Sequence, residues 1–259
     1  MKRFIRNFRA YIFSISGFYL IRRPKYKGRA VFNMNELYYG ESFPSANYAP
    51  WRGDVIFSET FKQVQEYTLV DVYRCFELWQ LVEKVNNSNK NASYIEVGVW
   101  KGGTAAIMAQ KLSLLNSHCK LYLADTFTGV AKATSKDDFY VGGEHSDTSV
   151  ALVEALLKKT SSYQNLKILK GIFPDETCKY IPAEETFGLC HIDVDVYSSA
   201  KDIVEWIWPR MIIGGMIIFD DYGFHTCTGV TRYVEEIKNL QDRIIIHNLN
   251  GHAIMIKIK

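Results

Sequence analysis

The chain has 259 residues, 47% of them hydrophobic and 23% charged, with a formal net charge of +3. That mix suits one large globular domain, or a domain with an extension, and excludes disordered, collagen-like and coiled-coil classes. Five scattered cysteines without a C-x-x-C pair argue against a disulfide framework or a cysteine zinc site, and for a reducing, cytoplasmic compartment.

The charge is unevenly placed. Nine cations, from Lys2 to Arg29, precede the first acid, Glu36, and the remaining 22 face 28 acids. On a helical wheel Phe4, Ile5, Phe8, Tyr11, Ile12, Ile15, Phe18 and Tyr19 share one side, opposite Lys2, Arg3, Arg6 and Arg9. Residues 1–30 therefore read as a basic amphipathic helix. Such a helix suits either the anionic inner face of a membrane, through residues 1–23, or packing on the body or another subunit of a homo-oligomer. No signal-peptide cleavage site follows it, and no apolar run reaches the roughly 18 residues of a membrane span. Nucleic-acid binding is disfavoured, because the aromatics lie on the apolar face of the helix instead of serving as stacking platforms.

Residues 31–90 read as an irregular segment followed by a helix over Thr68 to Val85 that caps a site. The core domain, 91–259, alternates strands and helices. Strands are predicted at Tyr94–Val99, Lys120–Asp125, Leu166–Leu169, Gly188–Ile192 and Met216–Phe219. Helices are predicted at Thr104–Leu115, Thr148–Lys159, Ser198–Trp208 and Gly229–Asn239. Two final strands, Arg243–Asn248 and His252–Lys259, flank an Asn-Gly hairpin signal. The fold class is α/β: a Rossmann-like, mostly parallel seven-stranded sheet with a C-terminal antiparallel hairpin and helices on both faces.

Three groups of residues carry candidate chemistry. Glu96 to Thr104, with Gly98, Gly102 and Gly103, leaves the first strand of the core, where glycines permit a sharp turn and the next helix offers free N–H groups. The spacing is not G-x-G-x-x-G, so a nucleoside fits better than a dinucleotide; an ordinary tight turn uses the same glycines. Asp125 ends the next strand, where an acid can accept from both ribose hydroxyls or simply cap a turn. Asp193-Val194-Asp195 and Asp220-Asp221 each follow an apolar strand, one βα unit apart. Carboxylates converging on one point need a counter-charge, and an oxygen-ligand cation, Mg²⁺ before Ca²⁺ or Mn²⁺, supplies it. Asp195 and Asp221 are alternatively placed to cap helices.

Together these stretches resemble class I S-adenosylmethionine-dependent methyltransferases, and more narrowly the macrocin O-methyltransferase (TylF-type) family. The resemblance spans about residues 55–250. It rests on Tyr67-Thr68-Leu69-Val70 with Arg74, Glu96–Thr104, Ala124–Gly129, His191–Ser199 and Phe219–Gly223. It implies that Glu96, Gly98 and Thr104 line the methionine end of the donor and Asp125 takes its ribose. Gly171, Ile172 and Phe173 flank its adenine, and Thr68, Val99, Thr126, Phe127 and Asp193 complete the donor site. It further implies that Asp193, Asp220 and Asp221 hold Mg²⁺ and that Asp195 is the general base. The implied activity is methyl transfer to a hydroxyl of a sugar or glycosylated acceptor. Two departures concern the acceptor side: Val194 stands where the family usually has glycine, and the link Phe224–Thr228 is long. Catechol-type relatives place a lysine where this chain has Val196, which favours a carboxylate base.

His145 and His225 are alternative bases or acceptor contacts, and residues 130–147 form either a lid or a plain surface loop. A metal-dependent glycosyltransferase is the rival reading, since Asp193-Val194-Asp195 matches its Asp-x-Asp motif; it leaves Glu96–Gly103 without a role.

Overall fold

The computed structural model describes Phe32–Met34, Leu37–Tyr39 and residues 48–259; the expected basic helix lies outside the described residues. The chain forms two compact units, residues 1–41 and 42–259. In the first, strands β1 (Phe32–Met34) and β2 (Leu37–Tyr39) pair antiparallel.

The second unit begins with helices α1 (Val55–Val64) and α2 (Val72–Ser88). Strands and helices then alternate: β3 (Ser93–Val97), α3 (Gly103–Leu114), β4 (Leu121–Asp125), α4 (Val150–Thr160), β5 (Leu166–Lys170), β6 (Phe187–Ile192), α5 (Tyr197–Ile207), β7 (Met211–Phe219) and α6 (Thr228–Ile237). The hairpin β8 (Arg243–Asn248) and β9 (His252–Lys257) closes the chain. The seven-stranded sheet has the order β5-β4-β3-β6-β7-β9-β8, antiparallel only where β9 meets β7 and β8. The predicted fold class is the observed one.

Two of the departures from expectation have local reasons. Helix α2 starts at Val72 instead of Thr68, because the Asp71 carboxylate accepts from Tyr73 N (2.9 Å) and Arg74 N (3.1 Å) and fixes the first turn there. Helix α1 falls within the stretch expected to be irregular. Its cap is Asp54, which accepts from Phe57 N at 2.9 Å, and only Phe57, Thr60 and Val64 of its side chains are buried. Phe57, Phe61 and Val64 do recur at helical spacing on one face, but they adjoin a stretch rich in glycine, proline and aromatics that reads as irregular.

The strand period of two divides the interior. Tyr94, Leu121, Leu189 and Ile218 face helices α1 to α4, with Phe57, Trp79, Ile107 and Met108. Ile95, Tyr122, Cys190, Ile217 and Met255 face α5 and α6, with Ile203 and Val234. Both faces are covered, as a parallel sheet requires.

Register sets the position of everything chemical. Val97 lies opposite Ala124 and Ile192, and Ile192 opposite Phe219. The next residues, Gly98, Asp125, Asp193 and Asp220, therefore emerge side by side at the carboxyl rim. Backbone bonds carry the ladder one step further: Asp193 N to Val97 O and Asp220 N to Ile192 O, both 2.9 Å. The strand order reverses between β3 and β6, the crevice where open α/β sheets bind ligands. No helix of the described residues is long and apolar enough to cross a membrane.

Candidate functional site

A cavity of about 260 Å³ opens at this rim. Its floor is the turn after β3. Gly98 has φ +89°, and a Cβ there would sit 1.7 Å from the Asp193 carbonyl oxygen, so only glycine lets the two strands' ends approach this closely. Gly103 is similarly pressed against Tyr67 O, 2.7 Å from its would-be Cβ. Asp125 organises the turn. Its Oδ2 accepts from Val99 N (2.7 Å) and Trp100 N (2.8 Å), and its Oδ1 accepts from Phe127 N (2.5 Å). The carboxylate thus holds the turn and also borders the cavity.

The expected donor-site residues fall into two groups. Thr68, Gly98, Val99, Thr104, Asp125, Thr126, Gly171, Ile172, Phe173 and Asp193 all line the cavity. Glu96 and Phe127 are not among its lining residues. Phe127 packs into the core beneath. Glu96 points from β3 toward the face covered by α2, is 0% exposed, and pairs through Oε1 with His191 Nδ1 at 2.8 Å.

Asp193, Asp195, Asp220 and Asp221 also line the cavity. Carboxylate oxygens of Asp193, Asp220 and Asp221 lie within 4.8 Å of one another. Asp221 Oδ2 accepts from Val194 N (3.0 Å) and Asp195 N (2.8 Å), which shapes the turn after β6 and leaves Asp195 at φ +66°. Neither Asp195 nor Asp221 caps a helix. The α5 N-terminus takes its acceptor from the 126–147 segment instead, with Tyr197 N donating to Asp137 Oδ1 at 2.8 Å. Neither acid is therefore spent on a helix end.

Their electrostatics differ sharply. Burial, then the neighbouring Asp220 and Asp221 charges, push Asp193 well above the usual carboxylate range. Burial, then Asp195 and Asp220, do the same to Asp221. Burial raises Asp195 to about 6, against the opposing hydrogen bonds from Tyr140 and Cys227. Asp220 behaves oppositely. Burial alone would raise it, but hydrogen bonds from His191 and His252 and the charge of Arg74 hold it far below its ordinary value. Asp193, Asp220 and Asp221, crowded in a desolvated crevice where Asp220 alone is held ionised by cationic partners, form a hard oxygen donor set suited to a divalent cation.

Behind the rim, sequence reasoning missed a buried polar row on the α2 face of the sheet. Asp220 Oδ1 meets His252 Nε2 at 2.8 Å and lies 3.5 Å from His191 Nε2. Asp220 Oδ2 pairs with Arg74, whose Nε reaches Asp71 Oδ2 at 2.8 Å. His252 Nδ1 meets Glu77 Oε2 at 2.6 Å. His191, Asp220 and His252 also cluster tightly enough to suggest a second ion site, but Glu96, Arg74 and Glu77 already engage them. Arg74 had been marked by its motif alone. Nothing local in the sequence pointed to Glu77; the position of His252 just after the Asn-Gly turn was the available signal.

The 126–147 segment is built into the site. Thr228 Oγ1 donates to Asp138 Oδ2 at 2.7 Å, as does Arg232. Lys132 bridges Asp175 and Asp202, each at 2.7 Å. Tyr140 and His145 from this segment line the cavity. The Tyr140 hydroxyl lies 3.3 Å from His145 Nε2, which is 4.0 Å from Asp195 Oδ2. The long link after β7 contributes Phe224, Thr226 and Cys227. The Cys227 thiol donates toward Asp195 Oδ1 at 3.5 Å. His225, the other candidate base, is not among the lining residues.

The family model described as macrocin-O-methyltransferase (TylF) matches residues 60–253. Demethyldecarbamoylnovobiocin O-methyltransferase of Streptomyces niveus is 28% identical over 170 residues, 60% of this chain and 62% of that protein. Mycinamicin III 3''-O-methyltransferase of Micromonospora griseorubida is 25% identical over 190 residues, 69% of this chain and 74% of that one. With a Streptomyces olivaceus tetracenomycin 4'-O-methyltransferase covered over 64% of its length, the chain spans about three fifths of the first two relatives. Among solved structures, the O-methyltransferase NovP superposes with a TM-score of 0.62 at 23% identity, covering 74% of this chain and 82% of that one. The calicheamicin methyltransferase CalS11 gives 0.60 at 16% identity, covering 84% and 98%. Both show the same fold.

Proposed function

The chain belongs to the macrocin-O-methyltransferase (TylF) family, and we propose that it transfers a methyl group from S-adenosylmethionine to a hydroxyl of a sugar or glycosylated small molecule, with a divalent cation, Mg²⁺ first, held by Asp193, Asp220 and Asp221. The observation that carries the proposal is the register of β3, β6 and β7, which brings the glycine turn and the acidic cluster to one rim. Membership displaces the glycosyltransferase reading, which had no use for that turn.

S-adenosylmethionine, when bound, supplies an electrophilic methyl group, and the cation supplies positive charge that makes an acceptor hydroxyl more acidic. The protein's own residues do the rest. The turn at Gly98 would let the donor approach the backbone, Asp125 would accept from its ribose, and Gly171, Ile172 and Phe173 would flank its adenine. Thr68, Val99, Thr104, Thr126 and the edge of Asp193 line the same groove. Asp195 is the general base: it is ionised at neutral pH with a value near 6, close enough to the working pH to accept a proton effectively. The Tyr140 hydroxyl and the Cys227 thiol fix its orientation. Tyr140, His145 and their neighbours from the 126–147 segment wall the cavity, and holding donor and acceptor in line there would supply much of the acceleration.

Residues 1–23 add a proposal from sequence alone: peripheral contact with an anionic membrane in the cytoplasm, or self-association. Deleting residues 1–28 should abolish sedimentation with anionic liposomes; unchanged sedimentation removes the membrane part.

The test of function is transfer of labelled methyl from S-adenosylmethionine to a panel of glycosylated acceptors, with Mg²⁺ or with chelator. Turnover that requires the cation supports the reading. Failure of S-adenosylhomocysteine to bind would overturn it.

A further inference from the structure

We infer that the Glu77–His252 pair is a positioning device for the acidic cluster, so that the C-terminal hairpin governs cation affinity although it contributes no ligand. This inference rests on the cation reading above.

The geometry begins at the hairpin. Asn248 and His252 are direct cross-strand partners flanking the Leu249-Asn250-Gly251 turn. Both reach the same carboxylate on α2: Asn248 Nδ2 donates to Glu77 Oε1, and His252 Nδ1 lies 2.6 Å from Glu77 Oε2. With both oxygens of Glu77 held, the imidazole ring has one orientation, which aims Nε2 at Asp220 Oδ1, 2.8 Å away. Arg74, also on α2, takes the other oxygen. A carboxylate gripped on each oxygen from a different element cannot rotate about its last torsion. The oxygen positions presented to Asp193 and Asp221 are thus set by α2 and β9 as well as by the turn after β7.

The arrangement is more than packing. His252 is 0% exposed and occupies a strand position that an apolar residue would fill at no electrostatic cost. Its neighbours along the same face, Ile254 and Ile256, are apolar. Groups that hydrogen-bond a ligating residue, without touching the ion, typically change metal affinity 10–100-fold when removed. A second link couples the turn to the site: a Cβ on Gly251 would lie 2.4 Å from the Phe224 ring, and Phe224 lines the cavity with the Arg74 guanidinium 4.7 Å from its centroid.

The test uses the full-length chain, freed of metal by chelator, titrated with Mn²⁺ and read by the electron paramagnetic resonance signal of free Mn²⁺. S-adenosylhomocysteine binding is measured in parallel by calorimetry. His252→Ala should weaken Mn²⁺ about 10–100-fold, Glu77→Gln should weaken it in the same direction by less, and both should leave S-adenosylhomocysteine within about twofold. His252→Gln, whose amide can still donate to Asp220, should recover most of the loss. Glu77→Gln preserves size at a half-buried position and keeps the test decisive if His252→Ala fails to fold. Unchanged Mn²⁺ affinity in the folded variants would overturn the inference, as would an equal loss of both ligands, which marks a merely structural role. Failure of the unaltered protein to bind Mn²⁺ would overturn the cation reading itself, and the positioning role with it.

Discussion

Replacing Asp195 by Asn separates its chemical role from its structural one. The substitution is isosteric, and Asn tolerates the left-handed backbone at φ +66° nearly as well as Asp. No helix loses a cap, since Asp137 serves α5. The carboxylate is raised from 3.8 to about 6, chiefly by burial. Its ionised form therefore costs the folded state on the order of 2–3 kcal/mol at neutral pH, at 1.36 kcal/mol per unit. Asn removes that cost, so the metal-free variant should melt roughly 5–10 °C higher. Turnover should fall about 10²–10⁴-fold, the usual contribution of a general base. The assays are thermal unfolding in chelator and methyl transfer to whichever glycoside of a panel turns over, with donor affinity as control. A variant that melts lower, or one that keeps full turnover, would refute the reasoning.

Three further outcomes follow from the same geometry. Gly98→Ala forces a Cβ to within 1.7 Å of the Asp193 carbonyl, so S-adenosylhomocysteine affinity should drop at least about tenfold, with a melting loss of several degrees that calorimetry reads directly. The metal-free protein should gain stability as pH falls from 7 toward 5: Asp195 titrates near 6, above its ordinary 3.8, and Asp193 and Asp221 are also raised, so the folded state holds extra protons in that window. Asp220, held low, gives up its stabilisation only below its unfolded value of 3.8; saturating Mg²⁺ should cancel or reverse the gain above that point, as melting curves across pH will show. Asp137→Ala removes the acceptor for Tyr197 N and should cost about 0.5–2 kcal/mol, and it should speed proteolysis within 126–147; an unchanged melting point and cleavage rate would mean the segment is not anchored there.

Strand and helix alternation after Ser93 was legible because each element has a strong period or a glycine boundary, as Gly98 and the Asn250-Gly251 turn illustrate. Asp193, Asp220 and Asp221 were legible as a cluster because each follows an apolar run, and one βα unit separates the runs. Helix α1 did carry a helical spacing, Phe57, Phe61 and Val64, but it abuts the aromatic, glycine- and proline-bearing segment up to residue 54, which masks where the period begins. The roles of Asp125 and Glu96 needed three dimensions. Asp125 reveals its turn-holding bonds only when Val99 and Trp100 fold back over it. Glu96 faces α2 and not the crevice because its parity along β3 is that of Tyr94. The Glu77–His252–Asp220 chain joins residues up to 175 positions apart, and no local spacing encodes cross-strand register. Tyr140 and Cys227 sit on long connections, whose paths depend on anchors such as Asp137 and Asp138 contacting helices formed later in the chain.

A methyl donor and a divalent cation are expected to meet at the rim formed by β3, β6 and β7. Diffraction from crystals grown with S-adenosylhomocysteine and Mn²⁺, collected at the manganese absorption edge, tests it most directly. One anomalous peak is expected among the carboxylates of Asp193, Asp220 and Asp221, with the nucleoside laid along Gly98 and its ribose at Asp125. A manganese peak elsewhere, or a nucleoside bound away from the glycine turn, would contradict it.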